Sequence, residues 1–197
     1  MPRMDDAARH ARRREFIEAG WRCVARVGYR NLSVDDVCAE VGLSKGSFYT
    51  HFSRKADLLL ALLDADATSD DEVIDKLSGG DVTGTERIRR FLRRMAERGE
   101  DPAVAMLRAD LWAEVSNDPQ LREEFARRVR ERRAMLAGWI ADAVASGELV
   151  DVPANALAAI MLALADGLMV HASIDPGGFR WSNVRKAVDL LLDGIQP

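Results

Sequence analysis

Residues 41–59 read V-G-L-S-K-G-S-F-Y-T-H-F-S-R-K-A-D-L-L, and this stretch decides the fold of the first part of the chain. Gly42 ends one segment of helical apolar spacing, while Ser44 and Ser53 are residues that can cap the start of a helix. Upstream, Ser33 opens the segment that Gly42 closes. The spacing therefore predicts helices over 33–41 and 44–50 joined by a tight turn, which is a helix-turn-helix.

The second helix of this pair has a suitable size to enter a DNA major groove. Its Phe48 is expected to face the core, which leaves the opposite face for DNA. Gly46 lacks a side chain, so the backbone can approach DNA closely there, and the helix that follows offers an N-terminus that favours phosphate. The candidate DNA-binding residues are Ser33, Ser44, Lys45, Gly46, Ser47, Tyr49, Thr50, His51 and Lys55.

The charge of the chain is divided unevenly between its two ends. The overall formal charge of −4 is the sum of about +3 in residues 1–60 and about −7 in the remainder. A basic N-terminal part is suited to a polyanionic partner, whereas an acidic C-terminal part is not.

The rest of the chain repeats helical patterns and contains no convincing strand. Asp-Pro pairs at 101–102 and 118–119 and a proline at 153 each mark a helix start, and a glycine-containing link at 78–84 separates two helices. The sequence therefore predicts an all-α chain of about nine helices, with an N-terminal three-helix domain followed by a larger helical domain.

The run from Leu32 to Leu59 resembles the DNA-binding region of TetR-family transcriptional regulators. The matching positions, at fixed spacing, are Gly42, Ser44, Gly46, Phe48, Tyr49, His51, Phe52, Lys55 and Leu58. Three later stretches, at 117–125, 146–149 and 163–168, are similar to the BetI/AcrR-like branch of that family. The resemblance implies a DNA-binding domain over residues 1–55 and a ligand-binding and dimerisation domain over residues 56–197.

The resemblance also implies a small-molecule pocket among the C-terminal helices and pairing of the last two helices across a dimer. Candidate ligand-binding residues are Phe91, Met95, Met106, Trp112, Met135, Trp139, Met161 and Asp166. Asp166 could face a ligand cation or could be neutralised by Arg108 within the fold. Two apolar stripes supply candidate dimer-interface residues, which are Leu157, Ile160, Leu164, Leu168, Val184, Val188 and Leu191.

These features favour a homodimeric transcriptional repressor that binds a near-palindromic double-stranded operator and releases it on binding a partly apolar organic molecule. A regulator of the same fold that activates transcription or answers to a protein partner is an alternative, and an all-α enzyme or scaffold is another.

The sequence contains no nucleophile elbow, phosphate loop or dinucleotide fingerprint, so no enzymatic activity and no cofactor are expected. Three histidines and two separated cysteines have no metal-ligand spacing. No uninterrupted apolar run approaches the roughly 18–20 residues that cross a bilayer, so a cytoplasmic protein is expected.

Overall fold

The structure is a computed structural model that describes residues 6–65 and 82–197. Nine helices and no strand lie within these two ranges. The helices form two compact units, one before and one after the gap between the ranges. The prediction of an all-α fold is therefore confirmed.

The first unit contains α1 (Asp6–Asn31), α2 (Val34–Val41), α3 (Lys45–Tyr49) and α4, which begins at residue 55 and extends to residue 65, where the described range ends. Within α1 the backbone leaves helical geometry at Gly28, where φ is 74° and ψ is 160°. Glycine adopts a positive φ without steric cost, so Gly28 allows a local break inside α1.

Aromatic packing organises the core of the first unit. The ring of Phe16 on α1 meets Phe48 of α3 edge-on, with the centroids 5.5 Å apart, and Phe52 lies beside both. The helix α4 packs onto α1 at Gly20, where an added Cβ would lie 3.2 Å from the side chain of Leu62. The expected domain boundary at residues 55 and 56 therefore falls at the start of α4, and α4 packs with the first unit.

The second unit contains α5 (Gly84–Gly99), α6 (Pro102–Asn117), α7 (Pro119–Ala145), α8 (Ala154–Ile174) and α9 (Trp181–Asp193). The two Asp-Pro pairs open α6 and α7 as predicted, because each aspartate accepts backbone N–H bonds of the first turn while proline occupies the first helical position. The ninth helix begins at Trp181.

Two glycines allow helices of the second unit to approach closely. At Gly84 an added Cβ would lie 2.9 Å from the Cβ of Ala143, so the start of α5 touches α7. At Gly99 an added Cβ would overlap the ring of Trp181, which covers the end of α5. Three ion pairs also join α5 to α9, with Arg89 reaching Asp189 and Asp193 at 3.0 and 2.6 Å and Arg93 reaching Asp189 at 2.9 Å.

One described helix, α8, is long and apolar enough to cross a bilayer by length and composition, with a mean hydropathy of 1.8. The sequence analysis predicted a helix start at Pro153 but counted no run long enough to span a bilayer, because Asp166 interrupts the apolar run of this helix. Within the second unit α8 packs on α5, α6 and α7, and Asp166 pairs with Arg108 of α6. Only 28% of its most apolar window is buried inside the fold. Much of an apolar helix is thus left uncovered by the single chain.

Candidate nucleic-acid interface

The turn of the helix-turn-helix is fixed by local hydrogen bonds. Ser33 and Asp36 form a capping box at the start of α2, with the Ser33 backbone N–H donating to the Asp36 carboxylate at 2.8 Å and the Ser33 Oγ accepting from the Asp36 N–H at 3.2 Å. Gly42 closes α2 in the left-handed conformation, with φ 75°. Ser44 then caps α3 by accepting from the Ser47 N–H. The backbone therefore fixes how α3 is presented.

Several predicted DNA-binding residues are engaged in this local structure although they are exposed. The hydroxyls of Ser33 and Ser44 cap helices, and the Thr50 hydroxyl donates to the Ser47 carbonyl at 2.7 Å. Gly46 is exposed on α3, and within 4 Å an added Cβ there would meet only the Ser44 hydroxyl, at 3.6 Å. These residues shape the surface around α3.

Lys45 and Tyr49 project from α3 into solvent. The Tyr49 side chain is 53% exposed, which is unusual for a large ring, and its inner edge rests on Phe48 with the centroids 5.4 Å apart. The Lys45 ammonium lies 2.9 Å from a carboxylate oxygen of Asp35 on α2, and this neighbour raises the pKa of Lys45. Both side chains lie on the face of α3 that the sequence predicted.

Lys55 and His51 are held more tightly than the sequence indicated. The Lys55 ammonium lies over the ring of Tyr29, 4.2 Å from its centroid, so a cation–π contact fixes its direction. The ring of His51 packs on Phe16, and both of its nitrogens are buried without a hydrogen-bond partner among the described residues. Burial, and then the charges of nearby arginines of α1, lower the pKa of His51 and favour the neutral ring.

The predicted ligand-binding residues occupy several different positions among the described helices of the second unit. Met95 and Met161 line a narrow apolar groove between α5, α8 and α9 that holds about 300 Å³ of empty space, its open mouth included. Elsewhere Phe91 packs edge-on against Trp139, with the centroids 6.0 Å apart. Met106 and Trp112 of α6 are 40% and 45% exposed, so they do not lie in the core. Met135 is partly exposed on α7.

Asp166 faces Arg108 inside the second unit. The Nη1 of Arg108 lies 3.7 Å from the Oδ1 of Asp166, and Arg108 itself is only 6% exposed. Burial raises the pKa of Asp166, while the charges of Arg108 and Arg132 oppose that rise. Of the two roles considered for Asp166, the contact with Arg108 favours pairing within the fold.

The predicted dimer residues divide into an outer and an inner set. Ile160, Leu164 and Leu191 are exposed by 63%, 45% and 64%, whereas Val188 is buried in the chain's own core. The remaining predicted residues, Leu157, Leu168 and Val184, are partly exposed. Two further exposed apolar residues, Ile174 and Leu190, were not predicted although helical spacing places them near these stripes.

Asp35 contributes to the surface around α3, and the sequence analysis did not single it out. It sits one position before the capping Asp36, and a pair of adjacent acids at a helix start is ordinarily explained by capping and by the helix dipole. Asp35 and Lys45 are ten residues apart and lie on different helices, so helical spacing does not predict their ion pair. The folded turn between α2 and α3 brings the two side chains together.

Comparison with known proteins gives both units the same assignment. Residues 16–62 match the model of bacterial regulatory proteins of the tetR family, and residues 84–197 match that of the C-terminal domain of BetI-type transcriptional repressors. The chain is 26% identical over 197 residues to the HTH-type transcriptional repressor AcnR of Corynebacterium diphtheriae. This alignment covers 100% of the chain and 97% of that protein.

Solved structures share the fold. A TetR-family transcriptional regulator from Rhodococcus sp., described as putative, superposes with a TM-score of 0.80 at 26% identity and covers 94% of this chain and 98% of its own. A transcriptional regulator from Saccharomonospora viridis, likewise described as putative and solved in complex with choline, has a TM-score of 0.75 at 24% identity, with 92% of this chain and 95% of that chain covered. The matched families consist of transcriptional regulators and not of enzymes, and the chain, matched by family models over both helical units, belongs to the TetR family.

Proposed function

We propose that the protein is a transcriptional repressor that binds a near-palindromic DNA operator as a homodimer and releases it when a small organic molecule binds the second unit. The observation that carries the DNA-binding part is the display of Lys45 and Tyr49 on a short, doubly capped helix. Curated relatives of the chain are repressors, which favours repression over activation.

On this proposal Lys45 and Tyr49 read bases in the major groove while Lys55 contacts phosphate. A lysine can donate to the O6 and N7 acceptors of guanine, and an exposed tyrosine offers both a hydroxyl and an apolar ring edge. His51 is left out of the phosphate contacts because its ring nitrogens are buried. The hydroxyls of Ser33 and Ser44 cap α2 and α3 and so support the recognition helix.

The exposed faces of α8 and α9 support the homodimer. Ile160, Leu164 and Leu191 would leave large apolar side chains in water if the chain were monomeric. Pairing of α8 and α9 with their copies would bury these residues in a four-helix bundle, and a two-fold symmetric interface requires the same patch on both chains. A dimer places two recognition helices on one face of DNA, one helical turn or a multiple of it apart, hence a near-palindrome.

The second unit supports an effector that is largely apolar. The groove lined by Met95 and Met161 is narrow and lined mainly by apolar side chains, and methionine side chains can change shape to admit different ligands. Asp166, which follows the groove residue Ala165 in sequence, already has Arg108 beside it, so a cationic group on the effector is not required for charge balance. Choline binding by the Saccharomonospora viridis protein supports small-molecule binding by this fold, although the identity is 24%.

Effector and operator are then linked by reciprocity. If the effector binds more tightly to dimers whose recognition helices do not fit the operator, it must weaken operator binding by the same factor. Neither binding step needs a membrane, and a repressor of this kind works in the bacterial cytoplasm.

Selection of genomic fragments followed by fluorescence anisotropy tests the DNA-binding part. Lys45→Ala and Tyr49→Ala should each lower operator affinity by about 1–3 kcal/mol and change the preferred sequence. Lys55→Ala should weaken binding to every duplex and reduce the salt dependence by about one phosphate contact. Glu18→Gln, on the exposed surface of α1, is the control that should leave sequence preference intact. A parent protein without salt-sensitive DNA binding would exclude the proposal.

A further inference from the structure

A carboxylate lies against the first residue of the recognition helix. The Oδ2 of Asp35, in the first turn of α2, is 2.9 Å from the Nζ of Lys45. Both side chains are largely exposed, Asp35 by 67% and Lys45 by 56%. The surface proposed to meet a polyanion therefore carries a negative charge next to one of its base-contacting candidates.

Capping of α2 does not explain this carboxylate. The neighbouring Asp36 accepts from the Ser33 backbone N–H at 2.8 Å and from the Ser33 hydroxyl at 2.6 Å. A charge in the first turn also interacts favourably with the helix dipole, but Asp36 already supplies one there. Because an ion pair between exposed groups contributes little to folding stability, the pair has more effect on what binds this surface than on the fold.

The pair alters the charge that α3 offers to DNA. Non-specific binding depends on cations that neutralise phosphates and release counterions, so a lysine already neutralised by a carboxylate adds little to it. Specific binding depends instead on the position of donors at base edges. A lysine held by a fixed neighbour is better positioned for that second role than a freely rotating one, since less side-chain entropy is lost on binding.

We propose that Asp35 is a specificity-determining residue that positions Lys45 and lowers the affinity of the recognition helix for DNA of arbitrary sequence. At the operator, base acceptors take over the ammonium and compensate for the loss of its pair with Asp35. On other sequences no such acceptor is in place, so the pair with Asp35 persists and the neutralised lysine adds little to phosphate binding. The inference rests on the proposed operator binding and adds to it the means by which unrelated DNA is disfavoured.

The test compares Asp35→Asn with Glu18→Gln, which makes the same charge change on an exposed part of α1. Binding of each to a selected operator fragment and to a shuffled duplex of the same length is measured by anisotropy between about 50 and 200 mM salt. Asp35→Asn should bind the shuffled duplex about 3–10-fold more tightly, with a salt slope steeper by up to about one phosphate contact. Its affinity for the operator should change less, so that the ratio of the two affinities falls about threefold or more.

A second variant separates positioning from general charge. In a Lys45→Met background, Asp35→Asn should no longer change the ratio between operator and shuffled duplex, because the partner of the carboxylate is gone. If Asp35→Asn lowers this affinity ratio as much in the Lys45→Met background as in the parent protein, the inference is overturned. Equal effects of Asp35→Asn and Glu18→Gln on both duplexes would also overturn it. In either case operator binding itself would stand. If the parent protein shows no operator preference at all, the proposed function fails and the inference fails with it.

Discussion

Glu148 is expected to stabilise the second unit through its negative charge. It follows α7 and reaches the first turn of α5, where the Thr85 backbone N–H donates to its Oε2 at 2.9 Å, and the Ser146 hydroxyl donates to its Oε1 at 2.9 Å. These bonds, the Thr85 N–H first among them, lower the pKa of Glu148 from 4.5 to about 2. The dipole of α5 adds to the preference for a carboxylate at this place.

The size of the effect follows from that pKa. A fall from 4.5 to about 2 corresponds to at most about 3.4 kcal/mol, at about 1.36 kcal/mol for each pKa unit. Because the side chain is partly exposed, solvent screening reduces this to about 1–2 kcal/mol. Glu148→Gln keeps the shape and an acceptor, so urea denaturation at pH 7 should show a loss in free energy of unfolding within that range.

The pH dependence gives a sharper test. A carboxyl whose folded pKa is depressed contributes its full stability above the unfolded pKa of about 4.5, and loses it as the pH falls toward the folded pKa of about 2. The difference between the parent and Glu148→Gln should therefore shrink steadily below about pH 4.5. Glu97→Gln, on the exposed side of α5, is the matched control and should show little difference at any pH. A Glu148→Gln deficit that stays constant between pH 7 and pH 3.5 would refute the charge argument.

Two further predictions concern packing and assembly. Gly99→Ala should lower the free energy of unfolding of the second unit by about 1–3 kcal/mol in urea denaturation, because its methyl group would overlap Trp181. The control Gly138→Ala, on the open side of α7, should be neutral or stabilising. Equal effects of the two substitutions would contradict the close approach of Trp181 to Gly99. Ile160→Glu should yield monomers in sedimentation at micromolar concentration, because the charge would lie in the proposed interface. The control Met106→Glu, on the exposed side of α6, should stay dimeric. A parent protein that is itself monomeric would contradict the proposed dimer.

The first unit was predictable because its signals are local. Serine caps at residues 33 and 44, the glycine stop at 42 and a buried Phe48 each act within a few residues of the backbone they control. Gly28 shows the same principle, since the helix α1 is interrupted at a glycine, the residue type that best tolerates a positive φ. The inward position of His51 was not predictable, because it depends on Phe16, thirty-five positions away in sequence.

In the second unit, helix starts were predictable and the roles of side chains were not. Proline and aspartate fix the beginnings of α6 and α7, but helical spacing alone cannot distinguish a face that covers the core from a face that meets solvent or another chain. Trp112 was expected near a ligand and is exposed, and Val188 was expected at an interface and is buried in the chain's own core. Both outcomes depend on which helix packs against which, and this information is distributed over the whole unit.

On the proposed function, the small size of α3 explains why dimer assembly and DNA reading would act together. Lys45 and Tyr49 are the two long side chains that project from α3, and at about 1–3 kcal/mol for each base contact one helix supplies about 2–6 kcal/mol of discrimination. Specific DNA-binding proteins typically discriminate by about 4–10 kcal/mol, so one copy is insufficient or marginal while two copies on one operator reach that range. The apolar face that includes Ile160, Leu164 and Leu191 lies in the other unit, yet on this argument it determines sequence preference as strongly as the residues proposed to touch the bases. Loss of the dimer should therefore remove most of the operator preference, while phosphate-driven binding to arbitrary DNA remains.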